Sequence, residues 1–188
     1  DTIDRHAAKV LEGGAIICPT AEMKQHIDHL KNFGFVDEVT VTAAGINGKM
    51  NEFQASLGLL QLEHVDAAIA RRKDIAATYR NALRDVTGIA LLPDVANVQQ
   101  NYSYFPVFVS PEYPISRDGL YSKLRESGVY SRRYFYPLIS TMPMYRGFPS
   151  SDSANLPVAT RMAKQVLCLP IYPSLTIGEL ARVINVIK

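Results

Sequence analysis

Gly45-Ile46-Asn47-Gly48-Lys49-Met50-Asn51-Glu52-Phe53-Gln54-Ala55 sets a glycine-bracketed turn directly ahead of a helix start. Asn51 is a favoured N-cap residue, and Gln54 three positions on supplies the reciprocal partner of a capping box. Glycines at 45 and 48 are free to adopt backbone angles closed to other residues. The turn is therefore expected to offer free main-chain amides and the Asn47 carboxamide beside a helix N-terminus. Phosphate oxygens are commonly held in such a place, and the same pattern also serves as a plain loop-to-helix junction.

Beyond the cap, Phe53, Leu57 and Leu60, then Val65, Ile69, Ile75, Tyr79 and Leu83, recur at helical spacing. They predict one or two helices reaching about Asp85, bent in the His64 to Asp66 region. Leu57, Leu59, Leu60 and Leu62 together make the helix apolar nearly all round, where a surface helix shows one stripe. Either a deep core or a subunit contact accounts for them, and the subunit contact is the preferred reading.

Upstream, the short apolar run Ala15 to Cys18, closed by Pro19, reads as a buried strand. Thr20 then caps a helix carrying Met23, Ile27 and Leu30 and ending near Gly34. Val36 to Val41 is β-prone. Downstream, strands are expected at Ile89 to Leu92, Tyr102 to Val109, Val129 to Tyr136 and Val166 to Leu169. Helices are expected after the Ser116 cap, from Asn155 to Gln165, and from Thr176 onward. Strands and helices so interleaved predict an α/β domain of two layers.

The 188 residues, with 47% apolar and 20% charged, suffice for one large domain or two small ones. A formal charge of +2 falls short of the dense basic surface that phosphate-backbone binding requires, so nucleic acid is not an expected partner. Cys18 and Cys168 form neither a disulfide framework nor a metal-ligand pattern, which fits a reducing, cytoplasmic setting. No apolar run has the length of a membrane helix and the first residues carry no apolar signal core, so a membrane is not expected either. His26 and His29 share a helix face without a carboxylate or thiol to complete a metal site, and no metal is assigned. Arg71-Arg72-Lys73, with Asp66 and Asp74 nearby, reads as an exposed, charge-balanced helix face.

Tyr130-Ser131-Arg132-Arg133-Tyr134-Phe135-Tyr136-Pro137 carries chemistry of another kind. As a strand it would put Tyr130, Arg132, Tyr134 and Tyr136 on one face. An arginine among tyrosine rings pairs with an anionic oxygen while the rings cover a sugar or base. The alternative is a strand whose rings pack on a helix while the arginine stays in water.

The string from Gly45 to Gly58, with Gln61-Leu62-Glu63 and Ala70-Arg71-Arg72, resembles the motif that follows the large domain in the DegT/DnrJ/EryC1/StrS family of pyridoxal-phosphate-dependent nucleotide-sugar aminotransferases. Asn101-Tyr102-Ser103-Tyr104-Phe105-Pro106-Val107, Ser131-Arg132 with Tyr134-Phe135-Tyr136-Pro137-Leu138, Pro143-Met144-Tyr145-Arg146 and Leu167-Cys168-Leu169-Pro170-Ile171-Tyr172-Pro173 match the family in the same order. His6-Ala7-Ala8-Lys9-Val10 with Glu12-Gly13-Gly14-Ala15 is similar to the segment bearing the Schiff-base lysine.

The resemblance implies the C-terminal part of a fold-type I pyridoxal-phosphate transferase. Residues 1–50 would be a remnant of the large cofactor-binding domain, and residues 51–188 a small two-layer α/β domain that begins with a long helix. It implies Lys9 as the catalytic lysine. Asn47 would contact the cofactor phosphate of the other subunit of a homodimer, and Arg132 and Tyr134 would lie toward the nucleotide sugar. Glutamate is the implied amino donor and a nucleotide-linked keto sugar the acceptor, in amino-sugar or polysaccharide biosynthesis. Ile139 stands where many members carry a substrate-side histidine. A lysine rather than a histidine at position 9 favours transamination over the family's sugar dehydratases. Family members carry roughly as much chain again before this point, so a further expectation is that this chain alone is a non-catalytic α/β module that self-associates.

Overall fold

The structure, a computed structural model, describes residues 13–188. The chain forms two compact units that divide between Val65 and Asp66.

In the first unit, helix α1 (Ala21–Leu30) starts at Thr20, whose hydroxyl accepts from the Met23 amide. It stops where Phe33 and Gly34 take positive φ, 60° and 85°. The chain doubles back through isolated bridges, Phe35 with Val41 and Asn32 with Asn47, and then enters helix α2 (Glu52–Leu62). The Asn51 capping box is complete, with Asn51 Oδ1 accepting from the Gln54 main-chain amide and Gln54 Oε1 accepting from the Asn51 main-chain amide. Neither helix buries a residue within the chain. Leu59, Leu60 and Leu62 are more than half exposed, so the described residues of this chain supply no core for this apolar stretch.

The strand expected at Ala15 to Cys18 does not form. A strand needs ladder partners to repay the ordering of its backbone, and no described residue pairs with this one. Ile16 and Ile17 are exposed as a result.

The second unit holds the core. Helix α3 (Val65–Leu83) follows a break at Glu63-His64, where the sequence predicted a bend, and buries Ile75, Ala76, Tyr79 and Leu83. Strands β1 (Ile89–Leu91), β2 (Phe105–Val109) and β3 (Val166–Leu169) form an antiparallel sheet in the order β1-β2-β3. Ile89 faces Val109, and Val107 faces Leu91 on one side and Leu167 on the other. Alternation along β2 sends Phe105, Val107 and Val109 inward. There they meet α3, α4 (Arg117–Glu126) and α6 (Ile177–Ile187) through Tyr79, Leu83, Leu120, Leu124, Leu180 and Val183. Helix α5 (Pro157–Gln165) packs on β2 and runs directly into β3. The result is the two-layer α/β arrangement that the sequence predicted.

The strand expected at Val129 to Tyr136 shrinks to one bridge, in which Arg132 and Cys168 exchange both main-chain hydrogen bonds at 3.0 and 2.7 Å. That register would bring residue 130 opposite Pro170, which has no N–H to give. It would bring residue 134 opposite Val166, whose amide is taken by the Met162 carbonyl and whose carbonyl accepts from Arg117. The ladder is blocked on both sides, and the chain turns away with cis peptide bonds at Tyr134-Phe135 and Tyr136-Pro137.

Candidate functional site

The sequence singled out residues in both units, and each group has its own local geometry. In the first unit, Asn47 lies on an exposed turn, and its side chain has no hydrogen-bond partner among the described residues. The flanking amides are not free. Ile46 N–H donates to Leu30 C=O at 2.9 Å and Gly48 N–H to Lys31 C=O at 2.8 Å, while Phe33 N–H donates back to Ile46 C=O at 3.0 Å. The turn thus closes the last carbonyls of α1, which a helix end leaves without internal partners. An open nest of amides was expected, and a single outward carboxamide is found.

Nor do the glycines act as expected. Gly45 and Gly48 are not among the residues with positive φ. Gly45 is required by close approach, because a Cβ there would lie 2.3 Å from the Gly34 nitrogen and 2.5 Å from the Leu30 carbonyl oxygen. Lys49 reaches back to Asn32 Oδ1 at 2.8 Å and lies over the Phe33 ring.

In the second unit, Arg132 and Tyr134 do come together, although not as neighbours on a strand face. Arg132 Nη1 donates to the Tyr134 hydroxyl at 3.1 Å. Tyr134 stacks on Phe135 with ring centroids 4.8 Å apart, and Tyr104 meets Tyr134 edge-on at 5.3 Å. Consecutive strand residues point to opposite faces, so the turn is what allows Tyr134 and Phe135 to stack. Arg132 is exposed, and its guanidinium keeps donors beyond the one given to Tyr134. An exposed guanidinium beside Tyr134, the first of three clustered rings, can hold an anionic oxygen while the rings cover an apolar or sugar face.

Tyr136 leaves this group and lies under the Arg117 guanidinium, 4.9 Å from its ring centre, while Tyr130 lies by Arg125. The four-residue face expected from alternation therefore reduces to Arg132 and Tyr134. Ile139 opens a 3₁₀ turn and is exposed.

Sequence reasoning missed Tyr104 as a member of this cluster. It also missed Arg133, whose guanidinium lies 4.2 Å from the Tyr121 ring centre and 2.9 Å from Asp118 Oδ1. No spacing rule links positions 104 or 118 to 134, because a loop and a long crossover connect them. Hydrogen bonds from Arg125 and then Arg133 hold the Tyr121 phenol below the ordinary tyrosine range. Behind the bridge to Arg132, burial pushes the Cys168 thiol up, so it stays protonated and inert. Lys9 lies outside the described residues. No group of three or more possible metal ligands occurs among the described residues. No described helix is long and apolar enough to cross a membrane.

Comparison with known proteins gives a consistent set of matches. A dTDP-4-amino-4,6-dideoxy-D-glucose transaminase of Escherichia coli is 53% identical over 164 residues, which cover 87% of this chain and 44% of the relative. The Shigella dysenteriae transaminase of the same description is 40% identical, over 97% of this chain and 50% of the relative. Among solved structures, DesV of S. venezuelae superposes with a TM-score of 0.81 at 28% identity, over 90% of this chain and 44% of its own. DesI, solved in the presence of its TDP-sugar product, superposes with a TM-score of 0.80 at 30% identity, over 90% of this chain and 43% of its own. The chain spans about half the length of the curated relatives it matches. The family model that describes DegT/DnrJ/EryC1/StrS aminotransferases matches residues 6–188, and the chain belongs to that family.

Proposed function

We propose that this chain takes part in pyridoxal-phosphate-dependent amino transfer to a nucleotide-linked keto sugar. Residues 1–50 would belong to the large domain of that fold and residues 51–188 would form its small domain. Glutamate would be the amino donor, and the setting would be a cytoplasmic homodimer. The observation that carries the reading is the exposed Arg132 guanidinium, paired with Tyr134 at 3.1 Å, with Tyr134 in turn packed against Tyr104 and Phe135. A diphosphate needs a fixed cation, and planar guanidinium groups meet its oxygens with two parallel N–H donors. The rings beside Arg132 give sugar or base a surface to lie on. The named relatives support the substrate class, since the E. coli and S. dysenteriae proteins are dTDP-sugar transaminases. DesI was solved in the presence of its TDP-sugar product.

Pyridoxal 5′-phosphate, when bound, supplies the electron sink that amino transfer needs. The described residues fit one contact to it. Asn47 presents a carboxamide donor to solvent from an ordered turn, with its neighbouring amides committed elsewhere. Asn47 would therefore hold a phosphate oxygen as a single donor. Lys9 would supply the neutral amine that the aldehyde requires.

The exposed leucines of α2 favour self-association as a property of this chain in its own right. They are where a second copy would pack.

The deciding experiment is a titration of the chain with thymidine diphosphate, followed by NMR at Arg132 and Tyr134. Binding that Arg132→Ala weakens by about tenfold or more supports the reading, that being the range for one charge-assisted contact. Unchanged affinity in Arg132→Ala removes it. An absorbance band after addition of pyridoxal 5′-phosphate that disappears in Lys9→Ala would support the Lys9 assignment, and a band indifferent to that substitution would refute it.

A further inference from the structure

Two arginines stand side by side at 132 and 133, and their surroundings differ. The Arg132 guanidinium is exposed and gives one hydrogen bond, to Tyr134. Arg133 is committed, with Nη1 2.9 Å from Asp118 Oδ1 and its guanidinium over the Tyr121 ring at 4.2 Å. The same Asp118 oxygen lies 2.9 Å from Arg117 Nε. Arg117 is almost fully buried, and its Nη1 donates to the carbonyls of Ala163 and Val166 at 3.1 Å each. Asp118 thus joins an immobile guanidinium, locked into the α5–β3 junction, to one that the 131–136 turn carries.

The far end of the turn is held by its rings, Tyr134 against Tyr104 and Tyr136 under Arg117, and by the Tyr134 main chain at the Cys168 thiol. At the near end the main chain pairs with the sheet through the one Arg132–Cys168 bridge, and the buried Ser131 hydroxyl makes no hydrogen bond. The side chain of Arg133, on the residue next to Arg132, is the polar anchor at that end, and it limits rotation about the strand axis there.

We propose that Asp118 is a positioning residue. Acting through Arg133, it orients the turn so that Arg132 and Tyr134 face outward together, and of the two neighbouring arginines only Arg132 meets the ligand. The part of this that concerns a ligand rests on the function proposed above.

The test uses the 188-residue chain and the variants Asp118→Asn, Asp118→Glu and Arg133→Gln, with Arg132→Ala as reference. Arg133→Gln is included because Asp118→Asn leaves the buried Arg117 without its counter-charge. Should Asp118→Asn fail to fold by circular dichroism, Arg133→Gln decides the matter. Without ligand, the side-chain NMR signals of Arg132 and Tyr134 are expected to shift and broaden in Asp118→Asn and Arg133→Gln, while core residues such as Leu120 and Val183 keep theirs. Asp118→Glu restores them. With thymidine diphosphate as probe, affinity falls by about fivefold in the first two variants and recovers in Asp118→Glu. Unchanged Arg132 and Tyr134 signals in folded Asp118→Asn and Arg133→Gln overturn the proposal. So does a uniform loss across the whole domain that Asp118→Glu does not rescue. If the unsubstituted chain does not respond to thymidine diphosphate, the ligand reading of Arg132 fails, and the ligand-free spectra still decide whether Asp118 positions the turn.

Discussion

Replacing Gly45 by alanine should open the turn that carries Asn47, and its contacts set the size of the effect. The added Cβ would lie 2.3 Å from the Gly34 nitrogen, 2.5 Å from the Leu30 carbonyl oxygen and 2.5 Å from the Phe33 carbonyl carbon. All three are main-chain atoms, so no side chain can rotate away. Relief requires the turn to move off the end of α1 by about 1 Å, the difference from ordinary van der Waals contact. Such a shift lengthens Ile46 N–H to Leu30 C=O and Phe33 N–H to Ile46 C=O beyond bonding range, from 2.9 and 3.0 Å. Two hydrogen bonds at about 1 kcal/mol each, with a further ~1 kcal/mol of overpacking strain, weaken local closure by about 3 kcal/mol. At 1.4 kcal/mol per factor of ten, that is about a hundredfold in the opening equilibrium. Hydrogen exchange read by NMR at the Ile46 and Phe33 amides measures it directly. Gly48→Ala is the control, because its Cβ would meet the Lys31 side chain at 3.1 Å, a contact that a few tenths of an ångström relieves. Gly45→Ala with wild-type protection at both amides would refute the close-approach account.

Three further outcomes follow from the structure. Tyr79 is fully buried, packs on Phe105 and donates to Pro170 C=O at 2.9 Å; Tyr79→Phe should cost about 1.5 kcal/mol in urea unfolding and Tyr79→Ala about 4 kcal/mol, and equal losses would mean that the hydroxyl contributes nothing. Leu59→Glu with Leu62→Glu should shift the chain toward monomer in sedimentation across a concentration series, since both side chains are about two-thirds exposed; a wild-type chain that is monomeric throughout removes α2 as a contact. Lys24 first and then Lys31 hold the Asp28 carboxyl down at about 2 from 3.8. A depressed folded value means that the α1 contribution is present above about pH 4 and lost as pH falls toward 2; a carboxyl carbon-13 midpoint near 4 contradicts the pairing, and Lys24→Ala should raise the midpoint.

Local signals in the sequence carried most of the fold. The capping box at Asn51, the caps at Thr20 and Ser116, the helix start at Thr176 and the break near His64 all rest on contacts within four residues, and all are found. The two strands that failed, at Ala15 to Cys18 and Val129 to Tyr136, depend on partners far away in the chain. A strand's residues state its preference for extended backbone, but whether it pairs is decided elsewhere. For 129–136 the decision sits at Pro170, at Val166 and in the side chain of Arg117. Spacing along the strand itself could not show that the neighbouring edge had already been used.

The same logic explains why the candidate site was half legible. Asn47, Arg132 and Tyr134 announced themselves by type and by motif, yet the reason first attached to each was a local one: free amides for the turn, alternation for the tyrosines. In the structure both reasons give way to tertiary ones. The amides close the end of α1, and the pairing of Arg132 with Tyr134 exists because the chain leaves the sheet after one bridge. Had the ladder continued, Phe135 would point away from Tyr134 and could not stack on it. The blocked ladder therefore accounts for the aromatic cluster that begins at Tyr134 beside Arg132. It also requires a second anchor for the turn, which is where Asp118 and Arg133 enter. Freeing the edge of β3, by Arg117→Met with Pro170→Ala, should let residue 130 pair at position 170 and the residue 134 amide reach the Val166 carbonyl, while the Val166 amide stays with Met162. The Tyr134–Phe135 stack would then be lost even though both residues remain. Nuclear Overhauser contacts between the two rings test this: their persistence alongside a newly formed ladder would show that the stack owes nothing to the interrupted strand.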